Sequence, residues 1–225
     1  MIMCKLPKGI SDFEKLISQG YVYIDKTKYL EMMEQSNDSY IHFLRPRRFG
    51  KTLFTSMLQY YYDINAHDQF DNLFKDTYIG THPTQLHNTY YILKFNFSGF
   101  AQLYGKNLEE EFKEKVMKAI ELCIHRYGFD IELTKHMSAA RLLSGFFSDV
   151  QTQLKGHKFY VIIDEYDHFA NDLLSFRFDE FTKVTSADGY VRALFEEIKA
   201  GTETVIDRVF VTGVSPITLD SMTSG

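Results

Sequence analysis

The segment FLRPRRFGKTLF, residues 43–54, lies between two patterns of opposite periodicity. The residues before its first arginine, SYIHFL, form a short apolar run that predicts a buried strand. The residues after Gly50, KTLFTSMLQYYYDI, carry apolar side chains at helical spacing. Arg45–Gly50 is therefore predicted to be a loop that joins a strand to a helix.

This loop resembles a phosphate-binding loop. Arg45–Thr52 matches the pattern G-x-x-x-x-G-K-[ST] at every required position except the first glycine, which is Arg45 here. In such a loop the backbone amides and the helix N-terminus face phosphates, a lysine reaches the outer phosphates, and a threonine hydroxyl binds Mg²⁺. Arg45 is tolerated if its φ stays negative, which Pro46 favours. The alternative is an exposed basic turn.

Later segments predict how the chain continues. YYILKFNF, KFYVIIDE and DRVFVTG read as strands, while NLEEEFKEKVMKAIELCIHRYG, SAARLLSGFFSDVQTQL and residues 190–199 read as helices. Strands that alternate with helices predict an α/β fold with a mostly parallel sheet. Such sheets bind ligands at the carboxyl ends of their strands.

Three polar residues follow two of these strands. Asp164 and Glu165 end one apolar run, where the first acid is expected to hold Mg²⁺ and the second to polarise an attacking water. Thr212 ends the last strand, where it either contacts the γ-phosphate or the water or serves as a structural hydroxyl. Asp167 is more typical of a turn acid than of a metal ligand. The pairing of the loop with these acids favours nucleotide binding.

Composition narrows the class of protein. A formal net charge of −5 argues against a broad nucleic-acid surface, although the arginines of the loop can hold a few phosphates. Two cysteines do not make a disulfide framework. We expect one domain over residues 1–225, located in the cytoplasm and without membrane contact.

Four segments together carry a resemblance: LPKGISDFEKLISQGYVYIDKTKYL, FLRPRRFGKTLFTSML, VIIDEYD and VFVTGVSPITLDSMTSG. They resemble the AAA-ATPase-like family of bacterial proteins over essentially the whole chain. The resemblance implies a P-loop NTPase fold, and it implies that the loop arginine is a habit of the family. It also implies a final strand, a lid and a C-terminal nuclease-like domain, which we expect this chain to lack. Asp25 or Thr27 of the first segment is predicted to cap the following helix.

The resemblance and the motifs together imply ATP and Mg²⁺ as ligands. The predicted nucleotide-binding residues are Pro46, Arg47, Arg48, Phe49, Gly50, Lys51, Thr52 and Thr212. The predicted metal ligands are Thr52 and Asp164, and the predicted catalytic residues are Glu165 and Lys51. Arg47 and Arg48 either stabilise phosphate charge or are simply solvated.

The predicted function is Mg²⁺-dependent ATP binding with hydrolysis of the β–γ bond. The alternative is a nucleotide-gated module that does not hydrolyse ATP and acts through a partner or a nuclease domain. The sequence leaves open whether the chain forms a homo-oligomer or binds another protein. Nucleic-acid binding is expected only through a domain that these residues do not include.

Overall fold

The structure is a computed structural model that describes residues 5–99, 108–134, 136–167 and 189–214. The strands are β1 (Tyr40–Leu44), β2 (Tyr91–Asn96), β3 (Phe159–Asp164) and β4 (Ile206–Gly213). The α-helices are α1 (Phe13–Ser18), α2 (Lys28–Ser36), α3 (Lys51–Tyr62), α4 (Phe70–Phe74), α5 (Tyr78–Thr81), α6 (Leu108–Tyr127), α7 (Ala139–Val150) and α8 (Tyr190–Gly201). Two 3₁₀ helices cover Ile64–Gln69 and Gln151–Gln153.

The four strands form one parallel sheet in the order β1-β4-β3-β2. The predicted α/β architecture with a parallel sheet flanked by helices is confirmed. Each predicted strand is present within a residue or two of its expected ends, because each one is an apolar run bounded by polar residues. β3 and β4 lie in the centre of the sheet, so the side chains of β3 are buried on both faces.

Two apolar layers cover the two faces of the sheet. Alternate residues of each strand point to opposite faces. On one face Ile92, Tyr160, Ile162 and Phe210 pack with α3 in a cluster that also holds residues of α1 and α2. On the other face the intervening residues of β2, β3 and β4 pack with α6, α7 and α8. Because α3 belongs to the first of these clusters, the loop before it leads the chain from the end of β1 onto that face of the sheet.

Several short elements escape prediction from sequence. Helices α1, α4 and α5 and the two 3₁₀ helices contain at most six residues each. A helix of that length completes too few turns to display an apolar stripe. Tertiary packing stabilises them instead: Phe13 of α1 and Phe74 of α4 are fully buried, with ring centroids 5.1 Å apart.

The prediction that Asp25 or Thr27 caps α2 is confirmed only in part: the Asp25 carboxylate holds the turn that begins the helix, because its Oδ1 accepts from the Thr27 amide at 2.8 Å. Thr27 occupies the N-cap position of α2, but its side chain makes no capping hydrogen bond there. The other carboxylate oxygen of Asp25 accepts from the Tyr78 amide at 2.7 Å, and the Thr27 hydroxyl accepts from the Ile79 amide at 3.1 Å. Both side chains therefore bind the first amides of α5, whose N-cap is Thr77, and tie that helix to the start of α2.

Candidate functional site

The segment from Arg45 to Gly50 connects the carboxyl end of β1 to the N-terminus of α3. The Arg45 amide donates to the Gly213 carbonyl at 3.1 Å, so pairing between β1 and β4 continues one residue into the loop. Arg48 and Gly50 adopt left-handed φ values of 69° and 77°, whereas Arg45 does not lie among the residues of positive φ. Arg45 thus meets the condition under which it replaces a glycine.

Lys51 is the first residue of α3, and its side chain is almost completely buried, with 6% exposed. Its ammonium donates to the carbonyls of Arg45 at 3.0 Å and Pro46 at 3.2 Å. The loop therefore wraps around the lysine. In an exposed basic turn the lysine would instead extend into water.

The other residues of the loop are on the surface. Arg47, Arg48 and Gly50 are exposed, and Phe49 has 66% of its side-chain surface accessible. Arg45 donates from its guanidinium to the neighbouring Leu44 carbonyl at 2.8 Å. A Cβ on Gly50 would meet nothing within 4 Å, so the space beside the helix N-terminus is open. Such a space, lined by amides and arginines, is suited to an anion.

Asp164 lies at the carboxyl end of β3 and is fully buried. Its Oδ1 accepts a hydrogen bond of 2.6 Å from the Thr212 hydroxyl at the end of β4. Its Oδ2 lies 3.5 Å from the hydroxyl of Thr55, which also donates to the Thr52 carbonyl at 2.9 Å. These contacts connect the first turns of α3 to the ends of two strands.

Glu165 follows Asp164 in a left-handed conformation, with φ 56°. Its amide donates to the Thr212 hydroxyl at 3.2 Å. A left-handed conformation is strained for a residue with a side chain, and such strain persists where surrounding contacts hold it. The Thr212 hydroxyl therefore orders both acids, because it donates to one and accepts from the backbone of the other.

The turn after β3 packs closely against the end of β4. The Tyr166 amide donates to the Thr212 carbonyl at 3.0 Å, and the Asp167 carboxylate accepts from the Val214 amide at 2.8 Å. A Cβ on Gly213 would lie 2.3 Å from a ring carbon of Tyr166, so only glycine fits there. Asp167 acts as a turn acid in these contacts, which agrees with the reading favoured from sequence.

Sequence reasoning named most of this cluster but missed Thr55. The structure brings Asp164, Thr212 and the start of α3 to the same edge of the sheet, as expected for carboxyl ends of parallel strands. Thr55 follows Thr52 by one helical turn, and that spacing was the available signal. For Thr212 the hydrogen bonds favour the structural hydroxyl over direct contact with a ligand, and ligand contact stays a prediction.

Thr212→Val tests the value of that hydroxyl. We expect the free energy of unfolding to fall by about 1–3 kcal/mol, because a buried carboxylate oxygen loses its donor. Urea denaturation measures the change, and Thr212→Ser, which keeps the hydroxyl, is expected to retain most of the stability. Equal stability of the valine variant and the wild type would show that the bond adds nothing.

Comparisons with known proteins place this chain in a family. The profile of the family described as Predicted AAA-ATPase matches residues 7–223. The chain belongs to this family. The predicted AAA-ATPase chain is also 29% identical over 177 residues to an "Uncharacterized protein in vnfD 5'region" from Azotobacter chroococcum mcd 1. That match covers 72% of this chain and 29% of the relative, so the chain spans less than a third of the relative's length.

Two further observations concern this predicted AAA-ATPase. No solved structure matches it. Within the residues that the structure describes, no helix combines the length and the apolar character needed to cross a membrane. The family therefore supports ATP or nucleotide binding in general terms, and the chemistry has to be argued from the residues.

Proposed function

We propose that this chain is an ATPase domain over residues 1–225 that binds MgATP and hydrolyses its β–γ phosphate bond. The observation that carries the proposal is the buried Lys51, around which the loop folds at the helix N-terminus, next to the Asp164 cluster. A buried lysine, an open helix N-terminus and a buried acid at one sheet edge are the groups that bind and neutralise a triphosphate.

In this proposal the loop residues Pro46, Arg47, Arg48, Phe49 and Gly50 surround the phosphates. The backbone amides of Arg47, Arg48, Phe49 and Gly50 supply donors, whereas Pro46 has no N–H, and the N-terminus of α3 adds its partial positive charge. Lys51 exchanges its contacts with the loop carbonyls for contacts with phosphate oxygens. Charge-assisted hydrogen bonds to phosphate are stronger than those to neutral carbonyls, which favours the exchange.

Thr52 and Asp164 are the proposed magnesium ligands. Mg²⁺ prefers oxygen ligands and is usually bound by one or two carboxylates together with phosphates and water. The described residues contain no group of three or more His, Cys, Asp or Glu side chains that could hold a metal ion. A site shared with a nucleotide does not require such a group. The metal neutralises charge on the phosphates.

Glu165 is the proposed general base for the attacking water. It lies next to Asp164 and beyond the end of β3, on a turn whose backbone is held by Thr212. A carboxylate that accepts the proton of water raises the rate of attack. In this mechanism Thr212 acts as a positioning residue for both acids. ATP is preferred over GTP because the family resemblance favours it and the sequence contains no N-K-x-D segment.

The proposed ATPase acts with a partner, either further copies of this chain or another protein, and with nucleic acid only through a domain outside these residues. The exposed Arg47 and Arg48 are free to reach phosphates in the same subunit or in a neighbouring one. Sedimentation with and without MgATP distinguishes a nucleotide-dependent oligomer from a monomer.

Lys51→Ala is the experiment that tests the site. We expect calorimetry to detect MgATP binding by the wild type and a loss of at least about a hundredfold in affinity in the variant, because the phosphates lose a buried cation. Lys75→Ala, which removes an exposed lysine at the end of α4, serves as the matched control. Circular dichroism checks the fold of both variants.

The outcome of this titration distinguishes the ATPase from the nucleotide-gated module. Binding that depends on Lys51 and is followed by phosphate release supports the ATPase. Binding that depends on Lys51 without phosphate release supports the nucleotide-gated module instead. A folded wild type that does not bind ATP, or a Lys51→Ala variant that binds it equally well, contradicts the proposal.

A further inference from the structure

A pocket of about 480 Å³ lies between α3, β2 and α6. Its walls are largely apolar and include Ile92 of β2 with Ala119 and Leu122 of α6. Its polar lining includes Gln59 of α3, Lys94 of β2 and Arg126 of α6. The volume falls within the range of about 300–1,000 Å³ that is typical of small-molecule sites. The pocket is lined by different residues from the proposed nucleotide site.

Lys94 is the unusual residue of this pocket. Its position in the otherwise apolar strand YILKFN places it on the sheet face that carries Ile92, and its side chain is partly buried. The ammonium makes one long hydrogen bond, of 3.4 Å, to the Gln59 side chain. Within the described part of the chain, no carboxylate forms an ion pair with it. Burial lowers the pKa of Lys94, which reflects the cost of a charge without a close partner.

The two acids whose charges act on Lys94 already accept hydrogen bonds from other groups. The charges of Asp164 and Asp12 favour the protonated form of Lys94, but neither carboxylate is in contact with it. Asp164 accepts from the Thr212 hydroxyl, and Asp12 accepts from the Lys15 amide at 2.7 Å. The positive charge at the pocket is therefore available to a ligand.

Arg126 places a second positive charge at the same pocket. Its guanidinium is ion-paired with the buried Asp63, which fixes its position, and 38% of its side chain remains exposed. Backbone donors add to these cations. Tyr91 and Phe97 donate their amides to the carbonyls of Lys158 and Asp164, on the side of β3, while the Ile92 amide points the other way, to the Tyr127 hydroxyl. By the alternation of a parallel strand, the amide of Lys94 also faces the side of β2 that pairs with no strand among the described residues.

We propose that this pocket binds a small organic anion that carries one carboxylate on an apolar body. The carboxylate pairs with Lys94 and is attracted by Arg126, while the body packs against Ile92, Ala119 and Leu122. Inorganic anions leave the apolar walls uncovered, and neutral apolar molecules leave the ammonium without a counter-ion. Both features of the lining are matched only by an anion of this mixed kind.

A titration with 4-fluorobenzoate, followed by ¹⁹F NMR, tests the proposal without any nucleotide. We expect saturable binding by the wild-type chain and a loss of about tenfold or more in Lys94→Met, because a charge-assisted hydrogen bond is removed. Lys94→Arg keeps the charge and is expected to retain binding. Lys158→Met, at an exposed position outside the pocket, is the matched control and is expected to bind like the wild type.

One further variant and two further ligands test the class of ligand. Leu122→Glu introduces a negative charge at a side chain that is 61% exposed, and it is expected to weaken binding without unfolding the chain. Inorganic phosphate and 4-fluorobenzyl alcohol are both expected to bind more weakly than 4-fluorobenzoate. The proposal is overturned if the wild type shows no saturable binding at about 10 mM, if Lys94→Met binds equally well, or if phosphate binds as tightly as the benzoate.

Discussion

Glu165→Gln is expected to lower ATP turnover by about 10²–10⁴-fold while MgATP still binds. The amide of glutamine keeps the size of the side chain but does not accept a proton from water. The left-handed backbone and its hydrogen bond to Thr212 are unaffected, because that bond uses the Glu165 amide rather than the side chain. Phosphate release under saturating MgATP measures the change, and calorimetry measures the binding.

A matched control separates this effect from a general loss of negative charge. Glu121→Gln changes an exposed acid on α6 and is expected to leave turnover unchanged. Wild-type turnover in Glu165→Gln would exclude the assigned role, even if the nucleotide still binds through Lys51. A variant that binds no nucleotide would instead show that Glu165 contributes to the ligand site.

Arg126→Met is expected to reduce the free energy of unfolding by about 3 kcal/mol near neutral pH, as measured by urea denaturation. Its partner Asp63 is fully buried, and the Arg126 guanidinium contacts the Oδ2 of its carboxylate directly. Removal of Arg126 therefore leaves a buried carboxylate without its counter-ion. We expect a loss at the lower end of the range that is usual for a broken buried ion pair, because water reaches part of the guanidinium.

The loss should depend on pH in a defined direction. Burial raises the pKa of Asp63 above its ordinary value of 3.8, and Arg126 opposes that rise. Without Arg126 the pKa in the folded state rises further. Because a raised pKa favours the protonated acid in the folded state, the stability of the variant is greatest at low pH and falls as pH increases through that pKa. Arg126→Met should thus approach the wild type in acid.

The double variant Asp63→Asn with Arg126→Met is the informative control. It removes both charges, and it is expected to be more stable than Arg126→Met alone. Arg141→Met, which removes an exposed arginine of α7, should have little effect. An Arg126→Met variant as stable as the wild type at neutral pH would show that Asp63 does not depend on its partner.

The sequence by itself determined the four strands, the longer helices and the position of the loop between β1 and α3. Apolar runs and helical spacing are local properties, so they are readable without a structure. Gly50, Lys51 and Thr52 were recognisable because the phosphate-loop pattern is local as well. Asp164 was recognisable because an acid that directly ends a buried run is conspicuous.

Only the tertiary structure decided which polar groups meet. The Thr212 hydroxyl reaches Asp164 and the Glu165 amide because β4 lies beside β3, and this adjacency depends on packing across the whole sheet. The Asp25 carboxylate binds the first turn of α5 as well as the start of α2 for the same reason. The ammonium of Lys94, which forms no ion pair with any described residue, was visible in sequence only as a lysine within an apolar strand. Its environment arises from long-range contacts, which no local pattern encodes.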